Sequence, residues 1–187
     1  MPPRFDPTDL HEIARLGVGL PDDEMFERVT IALEERYPGD IHRDSPWIFN
    51  NAGGAMGVLK LLHASFGEYL IFFGSPIGTE GHSGRYRAEV HDFMMKGEMW
   101  CYTDRDLERR IFRPGDAAYL GAGAAKGYRI PDHAFMLEYA RGPILEMFPF
   151  GLGDSLTSTL DHRTIGRTIF TYGKMVTRSL IRSARGS

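Results

Sequence analysis

Glu138 sits in the run Ala134-Phe135-Met136-Leu137-Glu138-Tyr139-Ala140, a strand-like stretch that buries at least one face. An isolated carboxylate in such surroundings is costly enough to take up a proton instead of staying charged. Asp92 is a second case. In Val90-His91-Asp92-Phe93-Met94-Met95, strand alternation puts Val90, Asp92 and Met94 on one face. One reading pairs each acid with an Arg or Lys and makes it structural. The other gives such an acid a purpose in chemistry, where a neutral carboxyl serves as an acid and a charged one as a base.

The histidines are a poorer match to chemistry. The segment Phe112-Arg113-Pro114-Gly115-Asp116, followed by Ala117 to Leu120 and a Gly-Ala-Gly, resembles the second half of a cupin barrel, a fold whose metal sites use a His-x-His pair and a later histidine. Here His82 is followed by Ser83 and Gly84, and the late position is Lys126 or Gly127. No metal and no cofactor are therefore expected. His42, His63, His91 and His133 read as surface or hydrogen-bonded structural residues. Cys101 stands alone, which excludes an internal disulfide and suits a reducing compartment.

The elements that would position these groups follow from periodicity. Residues 8 to 36 read as two helices, with Thr8 or Asp9 as the first N-cap and Pro21 opening the second. Met25, Val29, Ile31, Leu33 and Tyr37 form its partial apolar stripe, and Pro38-Gly39-Asp40 ends it. From Trp47 to Tyr139 nine short apolar or alternating runs recur between Gly and Pro breaks, which predicts an antiparallel sandwich or barrel. Helical patterning returns at 143 to 159 and at 161 to 184, where Ile165, Ile169, Tyr172 and Val176 share a face. The expected fold is mainly β with flanking helices (α+β): N-terminal helices in 1–40, a cupin-like β-barrel in 45–142, and two C-terminal helices in 143–184 covering its mouth, within a single domain of 1–187.

The 187 residues suffice for one core, and 42% apolar with 25% charged residues excludes disordered and low-complexity classes. The net charge of -3 is uneven. Residues 161–187 carry six basic side chains against Asp161, so an acidic body ends in a basic, amphipathic segment suited to a membrane surface. Its other use is to pack on the barrel with a solvated basic face. No apolar run is long enough to span a bilayer, and the polar start is no secretory signal. An acidic body without a recognition motif disfavours nucleic acid as a partner.

Several motifs in order resemble one family from about residue 8 to 184. They are Asn51-Ala52-Gly53-Gly54, Leu61-Leu62-His63-Ala64-Ser65, Glu68-Tyr69, Gly81-His82-Ser83-Gly84-Arg85-Tyr86 and Met136-Leu137-Glu138-Tyr139-Ala140-Arg141-Gly142. The family is that of fungal sterol C8-to-C7 isomerase and the type-1 sigma receptor. The resemblance implies a cupin-like barrel with the ligand inside, closed by two C-terminal helices lying against a membrane. It implies that Asp92 and Glu138 face each other, with Glu138 meeting a ligand amine. Two acids so placed are expected to share one proton, because like charges held close do not both ionise cheaply, and Tyr69 is expected to hydrogen-bond and orient Glu138. The implied lining includes Asn50, Ala55, Leu59, Leu61, Tyr69 and Ile71. Phe73, Val90, Ile130, Phe148, Thr168 and Tyr172 complete it. Ala55 stands where the family has a bulky aromatic, Asn50 where it has a small apolar residue, and Met147 and Phe148 are enlarged. The shape of the pocket therefore differs. The chain begins near where the soluble part of eukaryotic members begins, which suggests an intracellular, soluble or peripherally membrane-associated form. Gly53 and Gly57 match a GxxxG near the receptor's trimer contact, so a homo-oligomer is implied by resemblance, although between strands these read more simply as turn glycines.

Moving a ring double bond requires a proton delivered to one carbon and another removed, with a carbocation between, and an Asp92/Glu138 dyad in an apolar cavity suits that task. The expected function is isomerisation of a sterol-like lipid. A non-enzymatic protein that binds hydrophobic amines would use the same acids, because an ammonium imitates the carbocation. A metal-dependent cupin enzyme is the third reading.

Overall fold

The computed structural model describes residues 3–185, with side chains through 182; the ends of the 1–187 and 161–187 segments lie outside the described residues. Helix α1 (Pro7–Arg15) is capped two or three residues earlier than the sequence suggests. Asp6 is its cap and accepts from the Thr8 N–H at 2.7 Å and the Asp9 N–H at 3.4 Å, with Pro7 at the first helical position. Helix α2 (Asp22–Arg36) buries Met25, Val29 and Leu33, while Ile31 is exposed on the opposite side.

Ten strands follow: β1 (Trp47–Ala52), β2 (Ala55–Ala64), β3 (Glu68–Ser75), β4 (Thr79–His82), β5 (Glu89–Gly97), β6 (Met99–Thr103), β7 (Asp106–Phe112), β8 (Ala117–Leu120), β9 (Lys126–Ile130) and β10 (Ala134–Arg141). The nine expected runs are present, and β4 is the addition. Its sequence Thr-Glu-Gly-His contains no apolar residue to alternate, so hydrophobic patterning is blind to it.

The strands form a six-stranded sheet in the order β1-β2-β3-β10-β5-β8 and a four-stranded sheet in the order β4-β9-β6-β7, all neighbours antiparallel. The architecture is cupin-like, but the hydrogen-bond ladder does not close into a complete barrel.

Alternation along the six-stranded sheet creates two cores. Leu70, Phe72, Phe93, Leu137 and Tyr139 point to the side covered by α1 and α2, where they meet Leu10, Met25 and Leu33. Each such fully buried side chain contributes about 1.5–3 kcal/mol. Leu61, Ile71, Phe73, Val90, Met94 and Met136 point the other way, toward the four-stranded sheet. The helices cover one face of this sheet, and the opposite face carries Asp92 and Glu138.

Two glycine positions hold the register. Gly53 and Gly54, at φ 62° and 84°, form the two-residue β1–β2 turn. Gly97 ends β5 at φ 74°, where a Cβ would fall 1.8 Å from the His133 carbonyl oxygen. Gly57 lies within β2, against the Gly74 backbone.

The expected helix at 143 to 159 is divided. A 3₁₀ turn (Ile144–Met147) leads into α3 (Phe148–Thr157), whose start accommodates Pro149. Helix α4 (His162–Arg185) starts after Asp161, whose Oδ1 accepts from the Thr164 N–H at 3.0 Å.

Candidate active site

Three adjacent strands bring the central groups together. Glu138 on β10 is directly opposite Asp92 on β5 and Ile71 on β3, and Tyr69 lies two residues from Ile71 on the same face. The Tyr69 hydroxyl donates to Glu138 Oε1 at 2.5 Å. From the opposing sheet, Lys126 on β9 places its Nζ on Asp92 Oδ2. The ion pair is deeply buried, with side-chain exposures of 10% and 3% for Lys126 and Asp92. Lys126 is itself clamped. Its N–H donates to Ser83 Oγ and its carbonyl accepts the Ser83 N–H, both at 2.9 Å, while the Tyr86 hydroxyl donates to the Ser83 carbonyl at 2.9 Å.

Glu138 retains some accessible surface because it lines a cavity, yet it is enclosed by protein. Burial, then the Asp92 charge, pushes its carboxyl up from 4.5 to about 7, against the opposing pull of the Tyr69 hydrogen bond and Lys126. Burial is the largest influence on Lys126 and would lower it, but Asp92, Cys101 and Glu138 together hold the ammonium above its ordinary value. Burial and Glu138 push the Tyr69 hydroxyl well up, and the same two influences raise Tyr86 and Tyr128. Burial lifts the Cys101 thiol to about 11. Burial and the Asp92 charge thus favour the protonated form of Glu138.

By contrast, Glu68 shows what a structural buried acid looks like. It accepts two hydrogen bonds from the Arg4 N–H and one from the Tyr139 hydroxyl, at 3.0, 3.2 and 2.9 Å, and faces no cavity of comparable apolarity.

The cavity around Glu138 has a volume of about 200 Å³. Its walls include Asn50, Leu59, Leu61, Tyr69, Ile71, Phe73 and Val90 from the six-stranded sheet, and Phe148, Thr168 and Tyr172 from α3 and α4. Ala55 and Ile130 do not line it. Ala55 is fully buried against Gly81, and Ile130 is 1% exposed within the surrounding core. The Gly81 backbone covers Ala55, and the surrounding core side chains cover Ile130.

The family described as ERG2 and Sigma1 receptor like protein matches residues 3–184. This chain belongs to that family. The C-8 sterol isomerase of Neurospora crassa is 37% identical over 183 residues, covering 95% of this chain and 72% of the relative. The protein erg2 homolog of Dictyostelium discoideum is 41% identical, covering 95% and 76%. Sigma non-opioid intracellular receptor 1 of Gallus gallus is 38% identical, covering 91% and 78%. Among solved structures, an RmlC-like cupin from Shewanella frigidimarina aligns at TM-score 0.47 and 16% identity, over 56% of this chain and 89% of that one.

In this member of the ERG2 and Sigma1 receptor family, the lysine was the residue that sequence reasoning passed over. Lys126 was weighed only as the place where a metal-binding histidine is missing. Yet Lys126, Tyr128 and Ile130 alternate onto one face of the run Lys-Gly-Tyr-Arg-Ile, and that inward lysine was the available signal. His82, Tyr86, Met99, Leu120, Tyr128 and Met136 also line the cavity. Lys126 adds a third ionisable group beside the two acids, and the pairing with a basic residue weighed for Asp92 is present.

The family member's outer helices carry an apolar surface beside the cavity. Tyr172, Met175 and Val176 pack inward from α4, while Ile169, Phe170, Leu180 and Ile181 are exposed. The apolar stripe expected from Ile165, Ile169, Tyr172 and Val176 is thus divided between interior and surface. Part of the basic face is occupied: Arg178 lies 3.3 Å from His42 Nδ1, and Arg182 donates to the Pro38 carbonyl at 2.6 Å. Among the described residues no helix is long and apolar enough to cross a membrane.

Proposed function

We propose that this chain isomerises a carbon–carbon double bond in a sterol-like lipid. The observation that carries the reading is a carboxyl hydrogen-bonded to Tyr69 and directly opposite a second acid, on the wall of an apolar cavity where burial pushes it above its ordinary value. The names of the fungal relatives supply the substrate class. A neutral carboxyl donates its proton to one carbon of the double bond, whose π electrons form the new C–H bond and leave a carbocation on the neighbouring carbon. A carboxylate then removes a proton from the next carbon, and that C–H pair becomes the displaced double bond. No atom is gained or lost. Remaining negative charge and the faces of Tyr69, Tyr86 and Tyr128 stabilise the cation where water is excluded.

A cavity of about 200 Å³ is below the roughly 300 Å³ usual for drug-sized ligands, so a sterol requires the cavity to widen. The direct test is incubation of the purified chain with a Δ8 sterol in deuterated water. The expected product is the Δ7 isomer carrying solvent deuterium. Tight binding of a lipophilic amine with no sterol conversion would overturn the isomerase reading and support the receptor-like one, which the avian relative also suggests.

We further propose that the exposed face of α4 rests on a bilayer and admits the lipid. Ile169→Glu with Phe170→Glu is expected to reduce sedimentation with phosphatidylserine vesicles more than about tenfold, since each side chain is worth roughly 1.5–3 kcal/mol on burial. Equal sedimentation of the two proteins would remove this role.

A further inference from the structure

We propose that Lys126 assigns the proton within the acid pair, holding Asp92 as the base and leaving Glu138 as the acid. The inference rests on the isomerase reading for its kinetic consequence and on geometry alone for the proton placement.

Two equivalent carboxyls side by side would share a proton without preference for either. Here they are made unequal. Lys126 bonds Asp92, which is 2% exposed, whereas Glu138 receives the Tyr69 hydroxyl at 2.5 Å. An ammonium in direct contact favours the charged form of its partner far more than a neutral phenol does. Protonating Asp92 would leave Lys126 as an unpaired charge in the interior. Protonating Glu138 leaves the ion pair intact and the group electrically neutral overall. The side chains that face the three charges are Tyr69 on β3, Tyr86 before β5, Cys101 on β6 and Tyr128 on β9. Burial raises the hydroxyls and the thiol, so none competes for charge near neutrality.

Lys126 is thus a positioning residue. Its backbone is held by Ser83 from the end of β4, which fixes the ammonium against Asp92 rather than free in the cavity. During turnover Glu138 loses its proton to the substrate carbon and Asp92 gains one from the neighbouring carbon. Lys126 then makes protonated Asp92 the less stable form and favours return of the proton to Glu138. The resting state is regenerated with no change in total protons.

Carbon-13 NMR of the full chain labelled at the Asp and Glu carboxyl carbons, with Glu138→Gln and Asp92→Asn for assignment, tests the placement without any substrate. In the wild type near pH 6, Asp92 is expected at the ionised shift and Glu138 at the protonated one. In Lys126→Met, Asp92 is expected to move toward the protonated shift and the pair to hold its proton more than about one pH unit higher. Lys126→Arg is expected to restore the wild-type pattern. The kcat of Lys126→Met on a Δ8 sterol is expected to fall roughly 10- to 100-fold at pH 6.5, with its pH profile displaced upward and KM within about threefold. A protonated Asp92 in the wild type, or an unmoved titration in Lys126→Met, overturns the proposal; the first of these is readable even where Lys126→Met fails to fold. Correct placement with no sterol conversion would refute the isomerase reading alone. Normal turnover with the proton on Asp92 would refute the placement alone.

Discussion

Glu138→Gln is expected to lower sterol isomerisation by roughly a hundredfold to ten-thousandfold, the usual loss on removing a positioned general acid. The amide keeps the size of the side chain and can still accept from Tyr69, which donates to Glu138 Oε1 at 2.5 Å, so the loss would reflect the missing proton. Stability should move the other way. The Glu138 carboxyl is raised by burial from 4.5 to about 7 in the folded chain. A raised carboxyl stabilises the fold below its unfolded value, and this contribution is lost as pH rises through the folded value. The wild type should therefore lose up to about 3 kcal/mol between pH 4.5 and pH 8, and Glu138→Gln should not. Thermal unfolding across that range, measured beside turnover, checks both halves. A variant that retains wild-type turnover, or one whose melting temperature follows the wild-type pH dependence, would refute this role for Glu138.

Asp92→Asn is expected to damage both activity and folding. It removes the proposed base and leaves Lys126 buried at 10% side-chain exposure with no opposite charge in contact. Breaking a buried ion pair from one side costs about 3–5 kcal/mol. Asp92→Asn with Lys126→Met should recover most of that stability, since it removes both charges, but none of the turnover. Denaturant unfolding of the two variants, with a sterol assay on each, separates the effects. Stability equal to wild type in Asp92→Asn would mean that the pair is solvated. Activity regained in the double variant would mean that Asp92 is not the base.

The difference between these two acids explains what the sequence could and could not show. Asp92 and Glu138 stand out because each interrupts an apolar strand, and their strands alternate cleanly between the helix-side core and the cavity-side core. Tyr69, Ile71 and Phe73 share a face for the same reason. Local pattern is weaker where packing decides the outcome. Ala55 and Ile130 are covered by neighbours, and Ile31 lies on the side of α2 that the chain leaves open. Strand β4 is held by ladder bonds to β9 and by the His82 N–H to the Gly53 carbonyl at 2.9 Å, which no apolar pattern announces.

By itself, the sequence determined the order of the nine patterned strands between flanking helices, the basic C-terminal segment, and the presence of two acids in apolar strands. These depend on near neighbours along the chain, whose side-chain direction follows from a period of two or 3.6 residues. Only the tertiary structure decided that Lys126 meets Asp92. The two are 34 positions apart on opposed sheets, and the meeting depends on how one sheet folds over the other. That contact makes two similar carboxyls unequal, because a charge acts through space and not along the backbone.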